Sequence, residues 1–303
     1  MTEFVLATRG SELALRQAQL VRSALSAHHH GLAVREEILR TTGDRYPDEA
    51  LTSLGGSGVF TKELERAVLD GRADAAVHSL KDLPVELPPG LAFGAVLPRA
   101  DPGDVLVSRY TDGVAGLPSG ARIGTGSPRR RAMMLALRDD VQVVPIRGNV
   151  PTRMAKAVAG EFDAVILAAA GLERLGFATR GEIAVAGRAL QVVALPTFLP
   201  APGQGAIAVE IRADDRRAAD LLSALNDRPT SAAVRAERSV LRALGGGCHL
   251  PLGARGLVRD GVLRLEAVLF DAAGAPPKHA ALEGSAGHPE ELGAALARKL
   301  HGQ

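Results

Sequence analysis

Tryptophan is absent, tyrosine occurs twice and phenylalanine seven times, so aromatic residues make up only 3% of the 303 positions. No basic patch is interleaved with stacking aromatics, which excludes the usual grip on nucleic-acid bases. One cysteine excludes an internal disulfide framework and suits a reducing compartment. Long apolar runs are also missing. The opening Met1-Thr2-Glu3-Phe4-Val5-Leu6-Ala7-Thr8-Arg9 meets charge early, so neither a signal peptide nor a membrane anchor is expected, and the chain is placed in the cytoplasm. Lysine is scarce: five residues (62, 81, 156, 278, 299) among the 36 lysines and arginines, within a net charge of only +2. Arginine carries the positive charge, and only its positions can say what for.

What is present reads as a soluble globular chain, 46% hydrophobic and 23% charged, long enough for two or three domains. The lone cysteine sits in Gly245-Gly246-Gly247-Cys248-His249-Leu250-Pro251-Leu252-Gly253. Glycines without a Cβ let the main chain lie close to a ligand, so this loop can present a thiol to something large. The same cysteine is equally readable as a small buried hydrophobe, since a lone thiol becomes a nucleophile only in an electropositive, partly open setting.

In chain order, Phe4 to Ala7 reads as a strand. Ser11 caps a helix to about Ala27 with apolar positions 13, 14, 18, 21 and 25, and 32–39 returns as a strand. His28-His29-His30 stands without partner ligands at metal-site spacing and reads as a polar loop, so no metal is expected. Residues 41–58 have no clear period and end in Leu54-Gly55-Gly56-Ser57-Gly58, the mark of a lid or binding loop, after which Phe60 to Glu65 open a helix that Gly71 closes. Asp74 to His78 form a buried strand running into Ser79-Leu80-Lys81-Asp82-Leu83-Pro84. Lys81 and Asp82 therefore stand just past the carboxyl end of a strand, where open α/β sheets bind ligands, although a bare Lys-Asp pair also suits a solvated loop.

Strands at 91–97 and 105–107 flank Pro98-Arg99-Ala100-Asp101-Pro102-Gly103, a punctuated crossing taken as a domain boundary. Beyond it, strands at 122–124, 141–146 and 164–167 each lead into a helix, the sequence form of a parallel sheet. A second crossing, Leu195 to Gly205, precedes a strand at 206–211. Two crossings imply two lobes joined by a hinge with a cleft between them. Helices are expected at 220–226 and 231–244, a hairpin over 257–269 turning at Asp260-Gly261, and a helix from about Pro289 to Leu300. The partition is 1–98 with 199–217 as the first domain, 99–198 as the second, and 218–303 as a small α+β third domain.

Two helix starts in the second segment carry cations where the helix dipole disfavours them. Ser127 reads as an N-cap and Pro128 as the first helical residue, yet Arg129, Arg130 and Arg131 fill the first turn. Arg153 repeats this after Pro151. Each such cation costs about 0.3–1 kcal/mol, so the pattern suits a chain collecting an anion, or else surface arginine in an Arg-rich protein.

Five stretches, Ala7 to Leu15, Val77 to Pro84, Arg147 to Arg153, Pro202 to Ala206 and Gly246 to Gly253, resemble in order and spacing the porphobilinogen deaminase (hydroxymethylbilane synthase) family. The resemblance spans essentially the whole chain. It implies an α/β fold of two lobes like those of periplasmic binding proteins plus a small α+β C-terminal domain. It implies a dipyrromethane cofactor held by a thioether at Cys248, and four porphobilinogen units joined head to tail with loss of ammonia before hydrolytic release. By the same resemblance Asp82 is the catalytic acid and base. Lys81, Ser127, Arg129 and Arg130 bind the cofactor, while Arg9, Ser11, Arg147, Arg153 and Arg174 receive substrate carboxylates. Chemistry agrees with such a division: joining aminomethylpyrroles needs a proton donor, a stabiliser of a pyrrole-centred cation and a base, roles one carboxylate can fill in turn. Acetate and propionate arms suit bidentate arginine.

Phe60 and the serines at 53 and 57 belong to the lid, and the serines depart from the family, which usually carries lysine there. The expected protein is a cytoplasmic monomer acting on a small anionic substrate, with no nucleic acid and no membrane. The competing reading is a two-lobed binding protein without chemistry, or a degenerate paralogue.

Overall fold

The computed structural model describes residues 3–45, 58–247, 249–271 and 276–302. In chain order, the first lobe begins with β1 (Glu3–Arg9), α1 (Glu12–His28), β2 (Ala33–Leu39), α2 (Thr42–Arg45), α3 (Lys62–Leu69), β3 (Ala75–Ser79) and β4 (Leu91–Val96). The second lobe holds β5 (Asp104–Ser108), β6 (Arg122–Gly124), α4 (Pro128–Leu137), β7 (Gln142–Val144), α5 (Val150–Val158), β8 (Ala164–Ala168), α6 (Ala169–Arg174), β9 (Gly181–Val185) and β10 (Arg188–Ala194). The chain then returns to the first lobe with β11 (Ile207–Arg212) and α7 (Arg216–Ser223), and ends with α8 (Arg228–Ala243), β12 (Leu252–Arg259), β13 (Val262–Leu269), β14 (Lys278–Ser285) and α9 (Pro289–His301).

The first sheet runs β2-β1-β3-β11-β4, with β1 parallel to β2 and β3 and β11 antiparallel to both its neighbours. Helix α1 starts where Ser11 Oγ accepts the Ala14 amide at 3.3 Å. It buries Ala14, Ala18, Val21 and Leu25, a stripe at helical spacing of which Ala18, Val21 and Leu25 pack in one core with Phe4, Leu6 and Val77. Ala218, Leu222 and Leu225 join that same core. The expected seam at 217/218 thus falls inside α7, and on this packing we propose that the first lobe extends through Leu225.

The second sheet runs β7-β6-β8-β5-β10-β9. The expected parallel set, β6 with β7 and β8, is present, but β5 lies antiparallel to β8 and β10, and β9 with β10 forms an unanticipated hairpin. Its turn sets Ala186 and Gly187 at φ 49° and 75°, a left-handed pair signalled only by one glycine. The third domain stacks α8 and α9 on the antiparallel sheet β12-β13-β14, of which β14 was not foreseen. Asp260 and Gly261 turn the β12–β13 hairpin where expected, at φ 49° and 77°.

Two helices begin earlier than their apolar patterns suggest. Asp215 Oδ1 accepts from the Ala218 amide and Asp227 Oδ1 from the Thr230 amide, both at 2.9 Å, so α7 starts at Arg216 rather than 220 and α8 at Arg228 rather than 231. Pro229 occupies the first turn of α8, where its missing N–H costs nothing.

The two crossings lie against each other. Gly205 stands at φ +87°, and a Cβ there would come within 2.6 Å of the Ala100 carbonyl oxygen, so the approach of one crossing to the other requires glycine.

Candidate active site

Two adjoining hollows form the candidate site, one within the first lobe and one between the two lobes. The first is lined by Arg9, Ser11, Gln17, Phe60, Thr61, His78, Ser79 and Asp82, the second by Lys81, Arg130, Arg153, Arg174 and the small-residue wall 168–171. They share Leu13, Gln17 and Ser79, and enclose roughly 420 and 510 Å3 including space open to solvent.

Asp82 ends the helical turn Leu80–Asp82 that follows β3, and its exposed side chain is the only carboxylate among the described residues lining the first hollow. Arg9 stands at the end of β1, its guanidinium carbon 4.2 Å from the centre of the Phe60 ring and its Nε donating to Asp44 Oδ2 at 3.2 Å. Burial alone would raise the Asp44 pKa, but hydrogen bonds from Arg9 and Thr41 hold it below the ordinary value. The Phe60 ring lies on Gly43, where a Cβ would come within 2.1 Å of it. Gln17, buried on α1, donates to Ser79 Oγ at 2.8 Å beside the Leu80–Asp82 turn.

The second hollow gathers four cations and, among the described residues, no carboxylate in its lining. Burial is the main reason that Lys81 falls to about 8, with repulsion from Arg130 next, while Asp82 and Asp104 hold it up. Arg153 and Arg174 fall to about 10, again through burial first; Arg130 and Arg147 add to the effect at Arg153. Cations held below their ordinary values gain when an anion joins them. Arg153 Nε donates to the Gly148 carbonyl at 2.7 Å, in the loop before α5, and Arg174 Nη2 to the Gly205 carbonyl at 2.7 Å, on the second crossing.

Arg129 and Arg130 divide. Arg130 Nε and Nη2 donate to Asp104 Oδ1 at 3.0 and 2.8 Å, and its Nη1 to the Ile166 carbonyl, yet the residue still lines the second hollow. Arg129 turns into the interior: its Nη1 donates to Asp104 Oδ2 at 2.6 Å and to the Leu199 carbonyl at 2.7 Å. Ser127 serves as the N-cap of α4, accepting from the Arg130 amide at 3.4 Å, and Asn149 caps α5 through the Thr152 amide at 2.9 Å. Arg147 lies in the loop before that cap, near enough to depress Arg153.

Asp104 escaped the sequence reading although it anchors both arginines; its only signal is a carboxylate opening the apolar strand Asp104–Ser108, all of it buried. Gln204 was also missed as a side-chain node. Its Oε1 accepts from Lys81 Nζ at 3.3 Å and from Arg130 Nη2 at 3.4 Å, and its Nε2 donates to Asp104 Oδ1 at 2.9 Å, so it joins the two lobes at the hinge. Glu237 of α8 takes a forked pair from Arg99 at 2.6 and 3.0 Å, with the Gly203 and Gly256 amides each at 2.7 Å, and so binds the third domain to both crossings. Cys248, Ser53 and Ser57 lie outside the described residues.

Among the described residues no group of three or more His, Cys, Asp or Glu side chains is arranged to hold a metal ion. What the cleft offers instead is concentrated, desolvated positive charge facing one carboxylate. Such a donor set fits a bound group bearing several carboxylates, held by forked arginine hydrogen bonds.

A family model described as "Porphobilinogen deaminase, dipyromethane cofactor binding domain" matches residues 4–220, and one described as "Porphobilinogen deaminase, C-terminal domain" matches residues 231–302. A porphobilinogen deaminase of Moorella thermoacetica is 48% identical over 300 residues, covering 99% of this chain and 93% of its own. One from Chromobacterium violaceum is 44% identical over 302 residues, covering 99% of this chain and 94% of its own. Among solved structures, the periplasmic VFT2 domain of Bordetella pertussis BvgS overlays at a TM-score of 0.43 with 16% identity, covering 74% of this chain and 86% of that one.

Proposed function

The chain belongs to the porphobilinogen deaminase family, and from that premise we propose how its own residues carry out the joining of four porphobilinogen molecules, with loss of ammonia, on a dipyrromethane primer. The enzyme is a transferase, and hydrolysis frees the linear tetrapyrrole. When bound, the dipyrromethane supplies the free pyrrole carbon at which the chain grows.

Asp82 faces the first hollow and gives a proton to the departing amine, then removes one from the ring carbon that has formed the new bond. Between those transfers its negative charge faces the pyrrole nitrogens and offsets positive charge on the ring. Lys81, Arg130 and Arg153 hold acetate and propionate arms in the second hollow, Arg174 closes the same wall, and Arg147 stands by it. Arg9, held over Phe60, and the Ser11 hydroxyl receive arms of the incoming unit. Arg129 supports binding through Asp104, and Ser127 through the start of α4. Cys248, at the end of a glycine run in the third domain, carries the primer as a thioether, because a thiol is the side chain best suited to capture a carbon electrophile near neutral pH. Every residue named comes from one chain, and the reading is of a cytoplasmic monomer.

One observation carries the proposal: among the described residues, the first hollow is lined by a single carboxylate, Asp82, and adjoins a cationic hollow lined by none. The intact mass of the purified protein tests it. Two linked pyrroles above the chain mass, on a Cys248 peptide, are expected, with the colour reaction of dipyrromethanes in acidic aldehyde reagent. Asp82→Asn keeps that mass and loses turnover by at least about a hundredfold. An unmodified mass from cells that make porphobilinogen would leave only a binding protein.

A further inference from the structure

Among the described residues no hydrogen bond or ion pair fixes the Asp82 carboxylate, so its location depends on the backbone that carries it. That backbone is held from the third domain. Leu80 and Leu83, on either side of Lys81 and Asp82, pack with Val96, Ala206, Ala208 and Val234 of α8. One turn further along α8, Arg238 Nη2 donates to the Pro84 carbonyl at 2.6 Å and to the Val85 carbonyl at 2.8 Å. The guanidinium carbon lies 5.4 Å from the centre of the Phe93 ring, and the residue as a whole is only 8% exposed. Burial lowers its pKa to about 10 and Arg242 pushes the same way, while Glu86 and Glu210 hold it up, so it stays charged at neutral pH.

A buried cation aimed at two main-chain carbonyls, rather than at a carboxylate, is an unusual use of arginine in a chain with many acidic partners. Its planar group reaches both acceptors while stacked on an aromatic face, which a lysine does not reproduce. Helix α8 ends at Ala243, and the glycine run then leads directly to Cys248. The same helix therefore grips the Asp82 turn through Val234 and Arg238 and launches the cysteine loop from its C-terminal end.

We propose that Arg238 is a positioning residue for the reaction, fixing the Asp82 turn to the helix that leads to the primer-bearing loop. The inference rests on the reading of Asp82 as acid and base. Its basis is geometric: proton transfer to the departing amine or from the ring carbon tolerates little displacement, and a shift of about 1 Å is enough to cost up to a hundredfold in rate.

The test uses full-length, primer-loaded protein with Arg238→Met and Arg238→Lys, beside Asp82→Asn. Arg238→Met is expected to lower kcat per loaded molecule about tenfold with KM changed less than about threefold, because the turn moves while the carboxylate-binding cations stay. Backbone hydrogen exchange across residues 80–86 speeds up, and the primer mass is retained. Arg238→Lys recovers part of both losses. A lower melting temperature or loaded fraction with native kcat per loaded molecule overturns the proposal, since that is the outcome of a merely structural role. If Arg238→Met does not fold, Arg238→Lys decides, and native values for both kcat and exchange overturn it. Near-normal turnover in Asp82→Asn sinks the acid–base assignment itself, whereas loss there with none in Arg238→Met sinks only this inference.

Discussion

Asp104 and Arg130 form a forked pair inside the second lobe, beside Gln204 of the second crossing, the guanidinium Nε and Nη2 both reaching Oδ1, at 3.0 and 2.8 Å. The Asp104 side chain is fully buried, and Arg129 takes its other oxygen. Burial by itself would raise the Asp104 pKa; the two arginines overcome that and hold it well below the usual carboxylate range.

Asp104→Asn is expected to destabilise the protein by about 3–5 kcal/mol at neutral pH, because two buried guanidinium groups lose their counter-charge. A depressed folded pKa means that the contribution is present above the ordinary value of 3.8 and is lost as pH falls through the folded value. Denaturant midpoints of the two proteins should therefore differ at pH 7 and converge in acid below about pH 4. Equal midpoints at pH 7 would show that the arginines find other partners.

Lys81 behaves in the opposite sense. Its folded pKa of about 8 lies below the ordinary 10.5, so the protonated form costs stability in full below about 8, and the cost fades between those values. Lys81→Met should raise the melting temperature of primer-free protein at pH 7, with the advantage gone above pH 10.5, while weakening retention of carboxylate-bearing ligands. A lower melting temperature at pH 7 would contradict the assigned burial.

Glu65 sits inside the first lobe near His78 and Glu210, which themselves approach to 3.2 Å. Burial raises its pKa above 4.5 and Glu210 adds to this, against the neighbouring Thr61 hydroxyl and the charges of His78 and Lys62. A raised folded pKa gives stability that is present below the ordinary value and lost as pH rises through the folded one. Glu65→Gln should consequently gain on the native protein as pH rises above 4.5, seen as a widening difference in urea midpoint. A constant difference across that range would mean that Glu65 does not titrate there.

Much of this cleft is legible in the chain because strand ends and caps are local. The buried run before Ser79 places Lys81 and Asp82 at a strand end, and Ser11 starts α1 where its spacing says. Asp104 is different: nothing nearby in sequence tells that a carboxylate opening a strand meets arginines 25 and 26 positions later. Arg129 and Arg130 look alike as neighbours in a helix start, and only the path of Leu199 and Ile166 past them decides that one faces the interior and the other the cleft. The β9–β10 hairpin hides for a related reason, since Ala186 adopts a left-handed conformation that alanine seldom signals.

The strand order has a consequence for synthesis. β11 lies between β3 and β4, yet the whole of the second lobe separates it from them in the chain. A ribosome therefore delivers the second lobe before it delivers the strand that completes the first sheet, and the edges of β3 and β4 wait unpaired in the meantime. The second lobe, whose sheet uses only strands between residues 104 and 194, has every partner it needs as soon as it emerges. The order of birth thus runs from the middle outward: the arginine-bearing lobe closes first, and the lobe carrying Asp82 closes around strands made on either side of it.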